Sequence, residues 1–545
     1  MRTIKSWVAH CHKKHKECQI NAEGVSLEGC EPFLPSRVID VGEPDTQNSP
    51  YLMVSGETQR GIYTILSHCW GQMVQLRTFG SNISEHCQQL QWESLCKTYQ
   101  DAIAVTRALK VRYLWIDSLC IVQDSDNDWD LESARMAQYY GNAYCTISAD
   151  AASDGSQGCF IQRSEYVRAR LPFQTFACMN KHTTMLTNKE SPSVALAKDP
   201  MHRRAWCVQE RLLSRRTLHF SADQVYFECK RCLTAEDGRY HGRGYISNDF
   251  YEVVALKEVG KTETSKPQLK QLSASQRYYK IAAWFSTCLL TFSEDKLRAL
   301  AGLQQSYSVI YGARFHAAVW FHATNLAQTV ETLWWAPTIH CQGGRHLKEC
   351  NWSTPRSFPA WSWVSCNVSI EVTRLYGIHH LRELALRSQL TQPTLLRCFD
   401  DCPCGNHQYP VLAISTKLFH KSLDDPDIIF EPDDRSSFRF TDGTEVDISL
   451  HDHPRTEPDF LILALLQNID SQALDFSDRR QCVKIQNSAV SNVRHGRNRW
   501  FQSALLLRLS EHSCRGTHYK RIGAATITSA EGIFEEREWE TIYLD

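Results

Sequence analysis

Glu210 closes the run Trp206-Cys-Val-Gln-Glu210, with Arg204 two residues before the tryptophan. At helical spacing the indole and the carboxylate lie one turn apart on one face. A carboxylate so placed can stabilise positive charge developing on a bound molecule. The indole can stack on a base or hold a cation, and Arg204 can contact a phosphate. Two other segments carry polar groups at the ends of apolar runs. Tyr63-Thr-Ile-Leu-Ser-His-Cys-Trp-Gly71 supplies Ser67, Trp70 and Gly71. Tyr113-Leu-Trp-Ile-Asp-Ser-Leu-Cys-Ile-Val-Gln-Asp124 supplies Asp117. Each residue also has a plainer reading. Trp206 and Leu213 can be core, with Glu210 paired to Arg203 or Arg204. Ser67 and Gly71 can be turn residues, Trp70 a cover on the core, and Asp117 a helix cap.

Thiols and imidazoles raise the question of metals. The chain has 22 cysteines. His10, Cys11, His15 and Cys18 lie close in sequence, with Cys30 downstream. A structural zinc site wants four ligands, and this Cys-x3-His-x2-Cys run has no obvious second pair. The stronger expectation is an amphipathic helix with Trp7, Cys11 and Cys18 turned inward. Cys229 with Cys232, and Cys402 with Cys404 and His407, are isolated pairs. No metal site is assigned on this basis. Phosphate-loop, G-x-G-x-x-G, H-E-x-x-H and G-x-S-x-G patterns are absent, which argues against the enzymes they mark.

The elements that must position the chemistry-bearing residues alternate in type. Ile62–Ser67, Val111–Asp117 and Ala143–Ser148 are strand-like. Ala102, Val105 and Leu109 have helical spacing, as do Trp206, Glu210 and Leu213. Asp128 is placed to cap a helix that carries Trp129, Met136 and Tyr140. Tyr226–Cys229 reads as a fourth strand. Alternation of this kind predicts an α/β domain with a parallel sheet. Ligands on such sheets sit beyond the carboxyl ends of the strands, where Ser67, Trp70, Asp117 and Ser148 fall.

The chain has 545 residues, and Lys+Arg 60 against Asp+Glu 61 leaves a net charge of −1. That balance gives no support for a nucleic-acid binder. No apolar run is long enough to span a membrane, and no signal peptide is visible. The expectation is a cytoplasmic protein with reduced thiols. Polar stretches at Gly260–Ser275 and Asp424–Asp459 read as linkers. The predicted division is a helical lead-in over 1–50, the α/β domain over 51–258, a helical segment over 277–345 and a mostly β module over 350–545.

The three segments, with Asp128-Trp129, Met136 and Asn142-Ala143, resemble the HET (heterokaryon incompatibility) domain of filamentous fungi over roughly residues 60–215. Pro35–Val41, Asp295–Gly302 and Pro359–Trp363 are similar to segments that flank it. The resemblance implies a role in nonself recognition and programmed cell death. Trp206–Glu210 followed by Arg211-Leu212 is in turn similar to the Trp-Cys-x-x-Glu-Leu segment of Toll/interleukin-receptor (TIR) domains. That likeness implies a TIR-like, flavodoxin-like sheet, self-association, and NAD as substrate rather than as a resident cofactor. It implies Glu210 as the catalytic carboxylate, with Ser67, Trp70, Gly71, Asp117, Arg204 and Trp206 binding substrate. The sequence departs from the TIR pattern in its long insert between Ser148 and Trp206, and in His68-Cys69-Trp70 after Leu66-Ser67. A non-enzymatic death-signalling adaptor, with a protein partner of unknown identity, is the alternative.

Overall fold

Strands that are apolar on both faces belong in the middle of a sheet covered on both sides. Tyr63-Thr-Ile-Leu-Ser67 and Cys145-Thr-Ile-Ser148 are of this kind, and every residue of both is buried. The structure is a computed structural model. It describes residues 1–162 apart from 44–48, 57 and 72–74, residues 192–242 apart from 239, and residues 274–321 apart from 313; beyond 336 it describes short segments, chiefly strands. The inferred linker at Gly260–Ser275 lies almost wholly outside the described residues, and Cys402, Cys404 and His407 lie outside them entirely.

Contact density divides the chain into two units. The first is Met1–Pro267 with Cys288–Leu290 and Arg298–Ser306. Its elements begin with helix α1 (Arg2–Lys14) and strands β1 (Arg37–Asp40), β2 (Tyr51–Val54) and β3 (Tyr63–Ser67). Helices α2 (Ile83–His86) and α3 (Lys97–Ala108) lead to β4 (Tyr113–Trp115). Helices α4 (Asp117–Cys120) and α5 (Asp126–Asn142) lead to β5 (Cys145–Ser148). Helices α6 (Pro192–Lys198) and α7 (Ala205–Leu213) precede β6 (Arg216–Phe220), β7 (Val225–Cys229), β8 (Cys232–Ala235) and β9 (Tyr240–Gly242).

The nine strands form one sheet in the order β2-β1-β4-β3-β5-β6-β7-β8-β9. The four central strands, β4-β3-β5-β6, are parallel. Taken in chain order they run second, first, third, fourth, which is the flavodoxin-like arrangement. Antiparallel strands extend both edges. Tyr226–Cys229 is therefore not a fourth parallel strand; it lies in β7 and returns antiparallel to β6. The fourth parallel strand is Arg216-Thr-Leu-His-Phe220. Its arginine and histidine disguise it in sequence, yet all five residues are buried. Trp115, Tyr63, Ile65, Ile147 and Leu218 form the core, each 0% exposed. Full burial of such side chains is worth about 1.5–3 kcal/mol apiece.

Two helix ends differ from expectation. Ser125, not Asp128, caps α5: its hydroxyl accepts from the Asp128 N–H at 3.3 Å. The Asp128 carboxylate instead accepts from Arg37 Nη2 at 2.5 Å and from the Val122 N–H at 2.8 Å. The strand before Asp117 stops at Trp115, and Asp117 opens α4 with its carboxylate accepting from the Ser118 N–H at 2.7 Å.

The second unit comprises Gln268–Thr287, Thr291–Leu297 and Tyr307–Asp545. It contains helix α8 (Ala274–Ser286); of helix α9 (Arg298–Tyr311), the residues from Tyr307 on belong to it and Arg298–Ser306 belong to the first unit. Tyr278 packs against Tyr307, Phe315 and Trp320 with ring centroids 4.9–6.1 Å apart. Trp363 lies within this unit: it meets Phe285 edge-on at 6.0 Å and donates to the Ala318 carbonyl at 3.1 Å. The C-terminal part forms a ten-stranded sheet. Its strands are antiparallel except where His518–Ser529 meets Trp539–Leu544. The stretch Asp424–Asp459 is not a linker. It contributes strands Ile428–Glu431, Asp434–Phe440 and Glu445–Leu450, and its prolines fall outside these strands. No described helix is long and apolar enough to cross a membrane.

Candidate functional site

The strand order sets the place of the site. From β3 the chain moves to β4 on one side, then returns to β5 on the other. Connections leaving β3 and β5 therefore diverge and open a crevice at the carboxyl ends. Ser67 pairs with Ser148 there, and Ser148 pairs with His219 on the next strand. Three parallel strands thus present a row of polar side chains at one level.

Helix α7 lies over this row. The Ser67 hydroxyl donates to Glu210 Oε2. Glu210 is 7% exposed. Burial, the largest influence, pushes its carboxyl up to about 7, while the Ser67 hydrogen bond and Arg204 act in the opposite direction. A carboxyl with this pKa exchanges its proton near neutrality. Arg204 Nη1 donates to the His68 carbonyl at 2.5 Å, which ties the start of α7 to the segment after β3.

Asp117 anchors the other side. It accepts from Trp70 Nε1 at 2.9 Å, and His68 Nδ1 lies 3.8 Å from its second oxygen. Burial lowers the pKa of His68, which favours the neutral ring. Trp70 is therefore fastened by its N–H, with the Arg77 guanidinium 5.1 Å from the ring centre. Gly71 has φ +63°, and a Cβ there would lie 2.4 Å from Asp154 Cβ and 2.8 Å from the Ser153 carbonyl. It lets the segment after β3 pass against the segment after β5, a backbone task that only glycine performs without strain.

The structure brings Ser67 and Glu210 into contact. Arg204 bonds the His68 carbonyl, and Asp117 with Trp70 closes the neighbouring wall. Trp206 stands apart from them: half-buried, it meets Trp129 edge-on at 6.2 Å.

A second network escaped the sequence. Ser148 donates to Asp150. Asp150 meets His219 Nδ1 at 2.7 Å, His219 Nε2 meets Glu228 at 2.7 Å, and Glu228 accepts from Arg211 Nε at 2.8 Å. His202 Nε2 lies 3.5 Å from Asp150. Burial would lower the pKa of His219, but Asp150 and Glu228 raise it. Burial works against ionising Glu228, yet Arg211 and His219 hold it down at about 2. Two carboxylates thus face one imidazolium and one guanidinium, so the buried charge balances. Asp150, His202 and His219 come close enough to hold a metal ion, but Asp150 and His219 already satisfy each other. The only sequence signals were a histidine and a glutamate inside apolar strands, and their strands pair only in the fold.

A small cavity lies between the two networks. Ser67, Ser148, Asp150, His202, Cys207 and Arg211 are among its walls. Its free space is that of about one water molecule. Burial pushes the thiols of Cys69 and Cys207 up, so neither is a ready thiolate nucleophile.

A family model described as heterokaryon incompatibility protein (HET) matches residues 63–210. The match begins at the first residue of β3 and ends at Glu210, so it spans the crevice from Ser67 to its carboxylate partner. No curated protein and no solved structure matches the chain. A domain of this description points to a role in heterokaryon incompatibility and the cell death that accompanies it. Over residues 63–210 this chain is thus similar to the HET (heterokaryon incompatibility) domain.

Proposed function

We propose that the chain is a cytoplasmic effector of nonself recognition and programmed cell death that cleaves NAD at the bond between nicotinamide and ribose. The observation that carries this reading is the Ser67–Glu210 contact at the point where the strand order reverses. The likeness of the Trp206–Glu210 segment to TIR domains supplies the substrate. In the reaction the C1′–N bond breaks and its electron pair passes to the ring nitrogen, so nicotinamide leaves neutral without a general acid. The ribosyl cation left behind is stabilised by ionised Glu210. Water then adds at C1′ and its proton passes to the same carboxylate, whose pKa of about 7 suits both tasks. Ser67 orients the carboxylate, and Arg204 and Asp117 position the segments around it.

The cavity beside Ser67 has room for about one water and Glu210 is not among its lining residues, so this reading requires the crevice to open for substrate. We assign that opening to self-association. The test is chromatographic measurement of nicotinamide released from NAD, with wild-type protein and Glu210→Gln at several protein concentrations. Release that rises faster than protein concentration and disappears in Glu210→Gln is the expected outcome. Folded wild-type protein that leaves NAD intact at every concentration sinks the proposal.

The small size of that cavity favours a second reading, in which the domain is a signalling adaptor and Glu210 serves only its contact with Ser67. Killing by overexpressed Glu210→Gln at the wild-type level would select the adaptor.

A further inference from the structure

Two regions distant in sequence, the N-terminal helix with the turn after it and strand β7, bring four metal-binding side chains to one point. Cys11 lies in the last turn of α1, His15 caps that helix, and Cys18 follows in the 3-10 turn Lys16–Gln19. Cys229 is the last residue of β7. Trp7 stacks on Phe227 at 6.3 Å and holds α1 against that strand. The four ligand atoms all lie within 4.8 Å of one another. Cys229 Sγ is 3.4 Å from His15 Nδ1. Tetrahedral zinc with Zn–S about 2.3 Å and Zn–N about 2.0–2.1 Å requires ligand atoms about 3.6–3.8 Å apart. Small side-chain adjustments close the difference. Cys11 and Cys18 are 0% exposed, Cys229 3% and His15 7%. Cys11, Cys18 and Cys229 form no disulfide.

The surrounding charge is a second, independent sign. Arg216 is 1% exposed and Arg215 is 4% exposed. Arg216 donates to Cys11 Sγ at 3.3 Å and to the carbonyls of Tyr144 and Cys18 at 3.2 and 3.3 Å. Arg215 donates to the carbonyls of Asn142, Ala143 and Cys18. Neither pairs with a carboxylate among the described residues. Buried cations need a counter-charge. Zn²⁺ with three thiolates and a neutral imidazole carries −1, with its charge spread over three sulfur atoms, one of which, Cys11 Sγ, Arg216 already touches. The Arg231 N–H donates to Cys229 Sγ at 3.4 Å, the kind of support that tunes a thiolate ligand.

We propose that Cys11, His15, Cys18 and Cys229 bind one zinc ion. Three thiolates and an imidazole suit zinc in preference to the hard cations. With four protein ligands and no open position, the site is structural. It staples α1 to the β6–β7 hairpin, the same hairpin that carries His219 and Glu228. Cys232, 3.6 Å from the Cys229 sulfur, borders the cluster without joining the four mutually close atoms.

The full chain, purified without a metal-binding tag or added zinc, tests this by elemental analysis and by its absorption spectrum after exchange with Co²⁺. The expected result is tightly held zinc and, on exchange, a thiolate-to-cobalt charge-transfer band with the strong visible bands of tetrahedral cobalt. The Cys402→Ser/Cys404→Ser double variant keeps both signals, whereas Cys18→Ser loses the metal. Should Cys18→Ser fail to fold, Cys18→His decides: it retains a ligand, so metal stays and the charge-transfer band weakens. The proposal is overturned by folded wild-type protein that holds no zinc and develops no such bands. It is equally overturned by an unchanged band in Cys18→His, or by signals that vanish in the Cys402/Cys404 variant.

Discussion

Glu210 is a carboxyl whose environment opposes its charge, and this has a measurable sign. Its pKa is raised from an ordinary 4.5 to about 7, chiefly by burial. A group with a raised folded-state pKa contributes stability fully below the unfolded value, and the contribution is lost as pH rises through the folded value. Wild-type stability therefore declines through this residue between about pH 4.5 and 7. Glu210→Gln, which still accepts from Ser67, lacks that decline. The stability difference between variant and wild type is expected to move by about 3 kcal/mol in favour of the variant from pH 4 to pH 8. Denaturant titrations at the two pH values measure it, and parallel pH profiles would show that Glu210 is not desolvated. The same variant separates catalysis from folding in the nicotinamide assay.

Helices α5, α7 and the first part of α9 meet closely enough that one position tolerates no side chain. A Cβ on Gly302 would lie 2.2 Å from Ala137 Cβ and 2.7 Å from Gln209 Oε1. The Gly302 N–H also donates to that oxygen at 2.9 Å. Gln209 immediately precedes Glu210, so any retreat of α7 is transmitted to the site. Gly302→Ala is expected to cost about 1–3 kcal/mol by overpacking, read as a lowered denaturation midpoint at unchanged slope. Gains from helix propensity would be under about 1 kcal/mol. A variant as stable as wild type would mean that these helices are not in this contact.

Two compact units in one chain imply that unfolding need not be a single step. The proposed zinc site lies wholly in the first unit, where it joins the N-terminal helix to strand β7 of the sheet. Calorimetry of the full chain with and without a strong chelator is expected to lower the transition of the first unit by more than about 10 °C, because metal-binding free energy is folding free energy. The second unit's transition should stay in place. A uniform fall of all transitions, or none, would contradict a staple confined to the first unit.

Local order was legible in the chain wherever side-chain periodicity and burial agree. The strands at Tyr63, Tyr113 and Cys145 and the helix carrying Glu210 follow from apolar runs and spacing. The HET segments were recognisable because they are contiguous words of sequence. Strand β6 was hidden because Arg216 and His219 are polar residues that partners elsewhere make tolerable in a core. The strands within Asp424–Asp459 were hidden because the prolines around them mimic a linker. The residues of both polar networks and of the thiol cluster are far apart in the chain; Cys11 and Cys229 are two weak signals until α1 lies on β7. The sequence by itself determined which segments become strands and helices, since those preferences reside in neighbouring residues. Only the tertiary structure decided which side chains share a site, because strand order and register bring together groups that no local preference connects.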